Sequence, residues 1–400
     1  MQSIRLSDSE FEENQGEDCL YLSIYSPAKT MPTSITNLTE VIVHFHGGAY
    51  NRGDKSIIDG AALAFEQNFV VVSVNFRQGP LGFWNIRCNE TSTAICTSNN
   101  EYPIQTNWAI RDQLLALDFI YENIENFGGN PEKITLAGCG SGGEAIIHHI
   151  LNGRSKYIKQ AISWSSTFGI PLELSTTPKG DLFQYGLITN ELECCVKGQL
   201  EAGCLLSGHQ NHTCLQEKTT EQILTAAYHG FDQTGIPYGP FPSLIQPFRP
   251  VADKTTDKVV TGDAFLLLKQ STQLQDTKFI FEVTGYEGQK YLESFLEIIE
   301  ETSISFELWD QILTIHFKET CISRPKCETL KADIMEMYPC ASKQDCSNAA
   351  ALFFNDLLWT CNQRSLLNEM NTNAFGVYQY VDIEEYECPG EFLLFGYYLV

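Results

Sequence analysis

"ITLAGCGSGGEAI", residues 134–146, combines the marks of a strand, a turn and a helix. It opens on a short apolar run with β-branched residues, passes through a glycine-rich turn and returns to apolar residues. A strand that turns sharply into a helix is one way enzymes expose a serine nucleophile, in the pattern Gly-x-Ser-x-Gly. The frame from Gly138 to Gly142 puts Gly140 in the nucleophile's place and Ser141 one step late. Either the turn is a working site in a shifted register, or it keeps a shape without its chemistry.

Working outward, further short runs rich in Val, Ile and aromatics read as buried strands: "VIVHF" (41–45), "FVVVSVNF" (69–76), "AISW" (161–164), "FIFEV" (279–283) and "VYQYV" (377–381). They lack strict alternation, as strands covered on both faces do. Helical patterns lie between them. The clearest is "NWAIRDQLLALDFIYENIENF" (107–127), with Leu114, Leu117, Ile120 and Ile124 on one stripe and "GGNP" to stop it. Strands alternating with helices predict an α/β fold with a mostly parallel, doubly wound sheet and helices on both faces. Residues 190–275 read as loop-rich, and neither an internal repeat nor an interdomain linker stands out.

The bulk composition narrows the function classes. With 43% hydrophobic and 12% aromatic residues, 400 residues suffice for a large packed core. Twenty-six basic against 50 acidic residues give a net charge of −24, which repels nucleic acid and anionic lipid. No stretch is long and apolar enough to span a bilayer. Fourteen cysteines, with Asn-x-Ser/Thr sequons at Asn37, Asn89 and Asn211, favour an oxidising, secreted or extracellular setting with glycosylation and disulfides. The start, "MQSIRLSDSEFEENQGED", lacks the basic and apolar regions of a signal peptide.

An ordered set of blocks resembles the carboxylesterase type-B and cholinesterase family of α/β-hydrolases. "EDCLYLSIYSP" (17–27), "HFHGGAY" (44–50), "VNFRQGPLGF" (74–83) and "NWAIRDQLLALDFIYENIENFGGNPEKITLAG" (107–138) carry it first. "CLQEKTTEQIL" (214–224), "TGYEG" (284–288), "VYQYV" (377–381) and "LLFG" (393–396) follow in the family's order. The resemblance implies a short N-terminal segment, residues 1–16, and one α/β-hydrolase domain over 17–400. It also implies family segments upstream of Met1 and beyond Val400, which would account for the missing signal. Cys204 and Cys214 fall where the family closes a short loop, so the resemblance implies that they pair. It gives Cys19 a partner upstream of the chain and Cys361 one downstream. Cys321 with Cys327 and Cys340 with Cys346 are candidate extra loops.

Ester hydrolysis in this family needs a serine, a histidine to relay its proton, a carboxylate to orient that histidine, and backbone N–H groups for the oxyanion. The chemistry calls for neither a metal nor an organic cofactor. By resemblance, Glu287 in "GYEG" stands in the slot of the acid, and Gly47, Gly48 and Ala49 in that of the oxyanion loop, with the Ser141 amide as a third donor. The flanking blocks fix the register, so Gly140 holds the serine slot. A one-residue slip would turn the strand's side chains to the wrong faces. The histidine slot falls in "EYECPGEFLLFG" (385–396), on Glu387 or Cys388, and all eight histidines lie at or before His316. His44, His46 and His316 read as structural, and Cys139 as a small buried hydrophobe.

Three functions remain. One is a catalytically inactive cholinesterase-like domain that recognises another extracellular protein, as the family's adhesion proteins do. A second is an esterase for small carboxylic esters that uses Ser141 or an unrecognised nucleophile. The third is a truncated paralogue without function.

Overall fold

Strands β1 (Leu22–Tyr25), β2 (Thr39–Phe45), β3 (Val70–Val74), β4 (Gly129–Cys139), β5 (Ile158–Trp164), β6 (Lys278–Thr284) and β7 (Tyr378–Asp382) form one sheet in the order β1-β3-β2-β4-β5-β6-β7. The computed structural model describes residues 16–27, 38–84, 106–152, 158–167, 217–233, 248–252, 258–260, 277–285, 287–298, 301–320, 327–360 and 378–382. All pairings are parallel except that of β1 with β3, which makes β1 an antiparallel strand at one end of the order. The six expected strands are all present. β1 is the addition, and its half-buried "LSIY" carries a weaker apolar signal than the central runs.

The lack of alternation in the central strands has the cause expected. Val41, Val43 and Phe45 of β2 enter one core cluster, while Ile42 enters another with Val71, Ala137 and Ile162. Helix α1 (Ala61–Gln67) adds Leu63 to the smaller cluster. Helix α2 (Gly79–Phe83), α3 (Trp108–Asn123), α4 (Ser141–Leu151) and α5 (Thr220–Gln233) contribute to the larger one. In α3 the stripe runs Ile110, Leu114, Leu117 and Ile120, all buried, and a 3-10 turn over Ile124–Phe127 ends it.

Polar clasps hold the connections. Arg77, just beyond β3, grips Asp112 of α3 through Nε and Nη2 at 2.8 and 2.6 Å, with its guanidinium 4.9 Å over the Trp108 ring. Asn107, at φ 58, donates to the Val251 carbonyl and accepts from the Val251 amide, both at 2.8 Å. A second core joins α6 (Glu287–Ile298), α7 (Phe306–Thr320), α8 (Cys327–Met337) and α9 (Lys343–Asn355) around Leu292, Phe295, Trp309, Leu313 and Phe354. Val283 of β6 meets Leu358 and Trp359 beside it. The expected Cys340–Cys346 disulfide is formed. Cys19 is buried and unbridged. Cys204, Cys214, Cys321 and Cys361 lie outside the described residues, as do all three sequon asparagines, Asn37, Asn89 and Asn211. Among the described residues no helix is long and apolar enough to cross a membrane.

Candidate functional site

The glycine-rich turn lies where β4 ends and α4 begins. Gly140 holds φ 52 and ψ −119, outside the regions that L-residues ordinarily use, and its amide donates to the Trp164 carbonyl at 2.7 Å. Gly140 is the half-buried corner of the turn, and Ser141 is the first residue of the helix. A Cβ at Gly140 would meet nothing within 4 Å, while one at Gly142 would stand 2.1 Å from the Phe45 carbonyl oxygen. Small residues are thus obligatory behind the turn and spatially optional at its corner.

Ser141 is 4% exposed, and its hydroxyl accepts the amide of Tyr50 at 3.1 Å. That bond ties the helix to the loop after β2, where Gly48, Ala49 and Tyr50 all have positive φ, at 116, 56 and 61°. The loop packs directly on the elbow: a Cβ at Gly47 would be 2.7 Å from the Cys139 carbonyl oxygen. The structure thus brings Gly47, Gly48, Ala49, Gly140 and Ser141 together. No described residue accepts a hydrogen bond from the amides of Gly48, Ala49 or Ser141.

Glu287 opens α6 directly after β6. It is half-buried rather than the surface glutamate of an ordinary turn. Burial pushes its carboxyl up, against the downward pull of hydrogen bonds from Ser165 and Thr284. Thr284 donates to it at 2.9 Å. Ser165 has φ 48, and its carbonyl accepts the indole N–H of Trp359 at 2.8 Å. Sequence reasoning passed over Ser165, although the carboxyl ends of parallel strands are where sites of this architecture form. Glu387 and Cys388 lie outside the described residues.

Histidines crowd the region without forming a relay. His46 stacks on Phe76 with ring centroids 4.4 Å apart, and burial lowers it to about 4. His44, lowered to about 3 by burial and by His46, points to the same structural role. His149 shares a 2.8 Å hydrogen bond with Gln113, and burial and His148 lower it to about 3. His316 lies on α7, and its side chain is outside those described. Cys139 departs from expectation: it is buried, but its sulfur is in a disulfide whose partner is not among the described side chains.

One feature of the region had no sequence signal beyond a cation set among prolines and apolar residues in "PFRPV". Arg249, 1% exposed, pairs with Glu144 of α4 at 2.9 Å. Burial opposes the Glu144 charge, but Arg249 and His148 more than offset it and hold the carboxyl below its usual range. His148 approaches the same carboxylate at 3.9 Å and Thr167 at 3.4 Å. Among the described residues, the Arg249 Nε and Nη1 and the Tyr50 hydroxyl are buried without hydrogen-bond partners.

A model of the carboxylesterase family matches residues 1–385. The chain is 32% identical over 225 residues to the pyrethroid hydrolase Ces2e of Rattus norvegicus, covering 56% of this chain and 35% of that protein. It is 26% identical over 351 residues to the cAMP-regulated D2 protein of Dictyostelium discoideum, covering 87% and 55%. Against neuroligin-2 of Mus musculus it is 28% identical over 317 residues, covering 74% and 32%. The chain therefore spans no more than 55% of the length of these three relatives. The family match runs along nearly the whole chain, and the α/β-hydrolase sheet it implies is the one described above: this chain belongs to the carboxylesterase family.

Proposed function

We propose that this chain is a catalytically silent carboxylesterase-family domain whose role is extracellular recognition. One observation carries the reading: the corner that presents a nucleophile in an active member is Gly140, which has no side chain to attack with. Ser141 is no substitute, because its oxygen is buried and accepts the Tyr50 amide. The described histidine side chains close to the elbow are buried, and His44, His46 and His149 are held neutral. The sequence offers none in the family's slot near the C-terminal end. Hydrolases and a neuroligin stand side by side among the relatives, so a relative's name does not choose between readings. The acidic composition, the sequons and the Cys340–Cys346 bridge support an extracellular protein partner.

The test is incubation with an aryl acetate and a fluorophosphonate probe. The expected result is neither turnover above buffer nor labelling, and Gly140→Ser remains inactive because the relay is also missing. Labelling that Ser141→Ala abolishes would overturn the reading in favour of an esterase acting on small carboxylic esters.

A further inference from the structure

The loop after β2 closes over a buried histidine. His46, 1% exposed, follows β2 directly, and the chain returns to its ring at Gly53. A Cβ at Gly53 would stand 2.5 Å from His46 Nδ1 and 2.7 Å from the Gly47 carbonyl oxygen, so the two ends of the loop meet at the ring. Between them Ala49 and Tyr50 hold φ of 56 and 61°, a region that side chains occupy only under strain. The loop is fastened by the Tyr50 amide on Ser141 Oγ and by the Gly79 amide on the Tyr50 carbonyl at 2.7 Å. His46 Nδ1 lies 2.9 Å from the Gly47 carbonyl, which can only accept, so Nδ1 carries the proton and Nε2 the lone pair. Nε2 faces the Gln78 amide nitrogen at 3.4 Å, a donor that the Phe76 carbonyl holds in place at 3.1 Å. Turning the Gln78 amide over would set its oxygen against that carbonyl. A second proton, on Nε2, therefore meets a donor and not an acceptor. Among the described residues, the titratable groups acting around the ring are Asp54, which favours the imidazolium, and His44, whose own charging His46 opposes. Burial outweighs the Gly47 carbonyl and Asp54 and lowers His46 to about 4.

We propose that the loop over residues 47–53 is an acid-opened lid, released when His46 takes up a second proton at Nε2, while the sheet beneath it stays paired. The closed loop offers that proton no acceptor, whereas water accepts it once the loop lifts. A solvated imidazole charges below about pH 6.5. The closed form is thus favoured above that value, and the open form gains as pH falls below it. From about pH 7.5 to 6, one histidine that titrates only in the open form raises the open fraction about fourfold. Concerted unfolding, which frees His44, His46 and His149 together, would raise it about fiftyfold and in every element. Local opening comes first because the strain at Ala49 and Tyr50 relaxes in it while strand pairing is kept. The Tyr50 ring, fully buried in the closed form, is bared in the open one. Mildly acidic solution then gives the chain an apolar surface that neutral solution hides.

The experiment is native-state hydrogen exchange of the full chain, read by mass spectrometry at about pH 7.5 and about pH 6 and corrected for the intrinsic pH dependence of exchange. The amides of Asn51 and Arg52, both on the Gly48 carbonyl, and of Tyr50 report the loop, and those of β5 report the sheet. The expected result is a fall in loop protection of about fourfold at the lower pH, with β5 unchanged. His46→Gln, which cannot charge, is expected to abolish the fall. Gln78→Glu gives the Nε2 proton an acceptor in the closed form and is expected to abolish the fall with His46 still in place. Unchanged loop protection in the parent chain, an equal fall in the loop and β5, or a fall that persists in either variant overturns the proposal. If one variant does not fold, the parent chain and the other variant decide.

Discussion

At Gly140 the backbone adopts a conformation that any side chain would hold at a cost, while the space around it would admit one. Gly140→Ala is therefore expected to lower stability by about 1–3 kcal/mol, the strain of a non-glycine residue in such a region. Urea unfolding would show it as a reduced midpoint with an unchanged slope. Two residues on, strain is replaced by collision. A methyl at Gly142 would meet the Phe45 carbonyl at 2.1 Å, so Gly142→Ala should fail to give a cooperative fold. Ser141→Ala tests a third effect. It leaves the Tyr50 amide buried without its acceptor and should cost about 1–3 kcal/mol. Equal losses at all three positions would show that the turn is not shaped as described.

At the scale of elements, α4 is fastened to residues 248–252 and 258–260 by long-range polar contacts. Glu144 of α4 meets Arg249 across 105 positions of sequence, and the Asn152 side chain, at the end of α4, donates to the Val259 carbonyl. A buried pair is a weak source of net stability, but removing one partner strands the other's charge. Glu144→Gln or Arg249→Met alone is expected to cost about 3–5 kcal/mol, while the double variant recovers most of the loss. A double-mutant cycle by urea unfolding checks this, and additive losses would argue against the pair. None of it was legible in the sequence, since neither residue carries a local signal of the other. Strands β2 to β7 were legible because each is a short apolar run, and those of β2 to β6 are buried by their neighbours. β1 was not, because four half-buried residues at the end of the sheet take their conformation from pairing with Val71–Val74. Of the candidate site, the turn and glycine loop could be read because glycine spacing encodes backbone shape. Ser165 could not, since its φ of 48 follows from tertiary contacts alone.

For the whole molecule, the buried neutral histidines govern the response to acid. His44 and His149 are lowered to about 3 and His46 to about 4, from an ordinary value near 6.5. These groups stay uncharged in the folded chain but take up protons in the unfolded one once pH falls below about 6.5. Their contribution is intact above that value and is lost as pH falls through the window down to 4 and then 3. Each histidine removes about 1.4 kcal/mol per pH unit within it. Glu287 works the other way: its raised carboxyl favours the folded state at low pH, a benefit lost as pH rises through its folded value. Three histidines against one carboxyl predict acid unfolding with a midpoint between about pH 4 and 6. Far-UV circular dichroism across a pH series measures it, and a chain still cooperatively folded at pH 3 would refute it.

Trp359 touches the region from its far side, with its indole N–H on the Ser165 carbonyl and its ring against Tyr291. Ser165 in turn bonds Glu287, so one of the chain's five tryptophans is wired to the acid slot beside the elbow. The protein consequently carries its own optical gauge. A change in the charge of Glu287 alters the field along that indole and shifts its emission. Comparing the parent spectrum with that of Trp359→Phe isolates the signal, so events at the elbow can be followed without any attached dye.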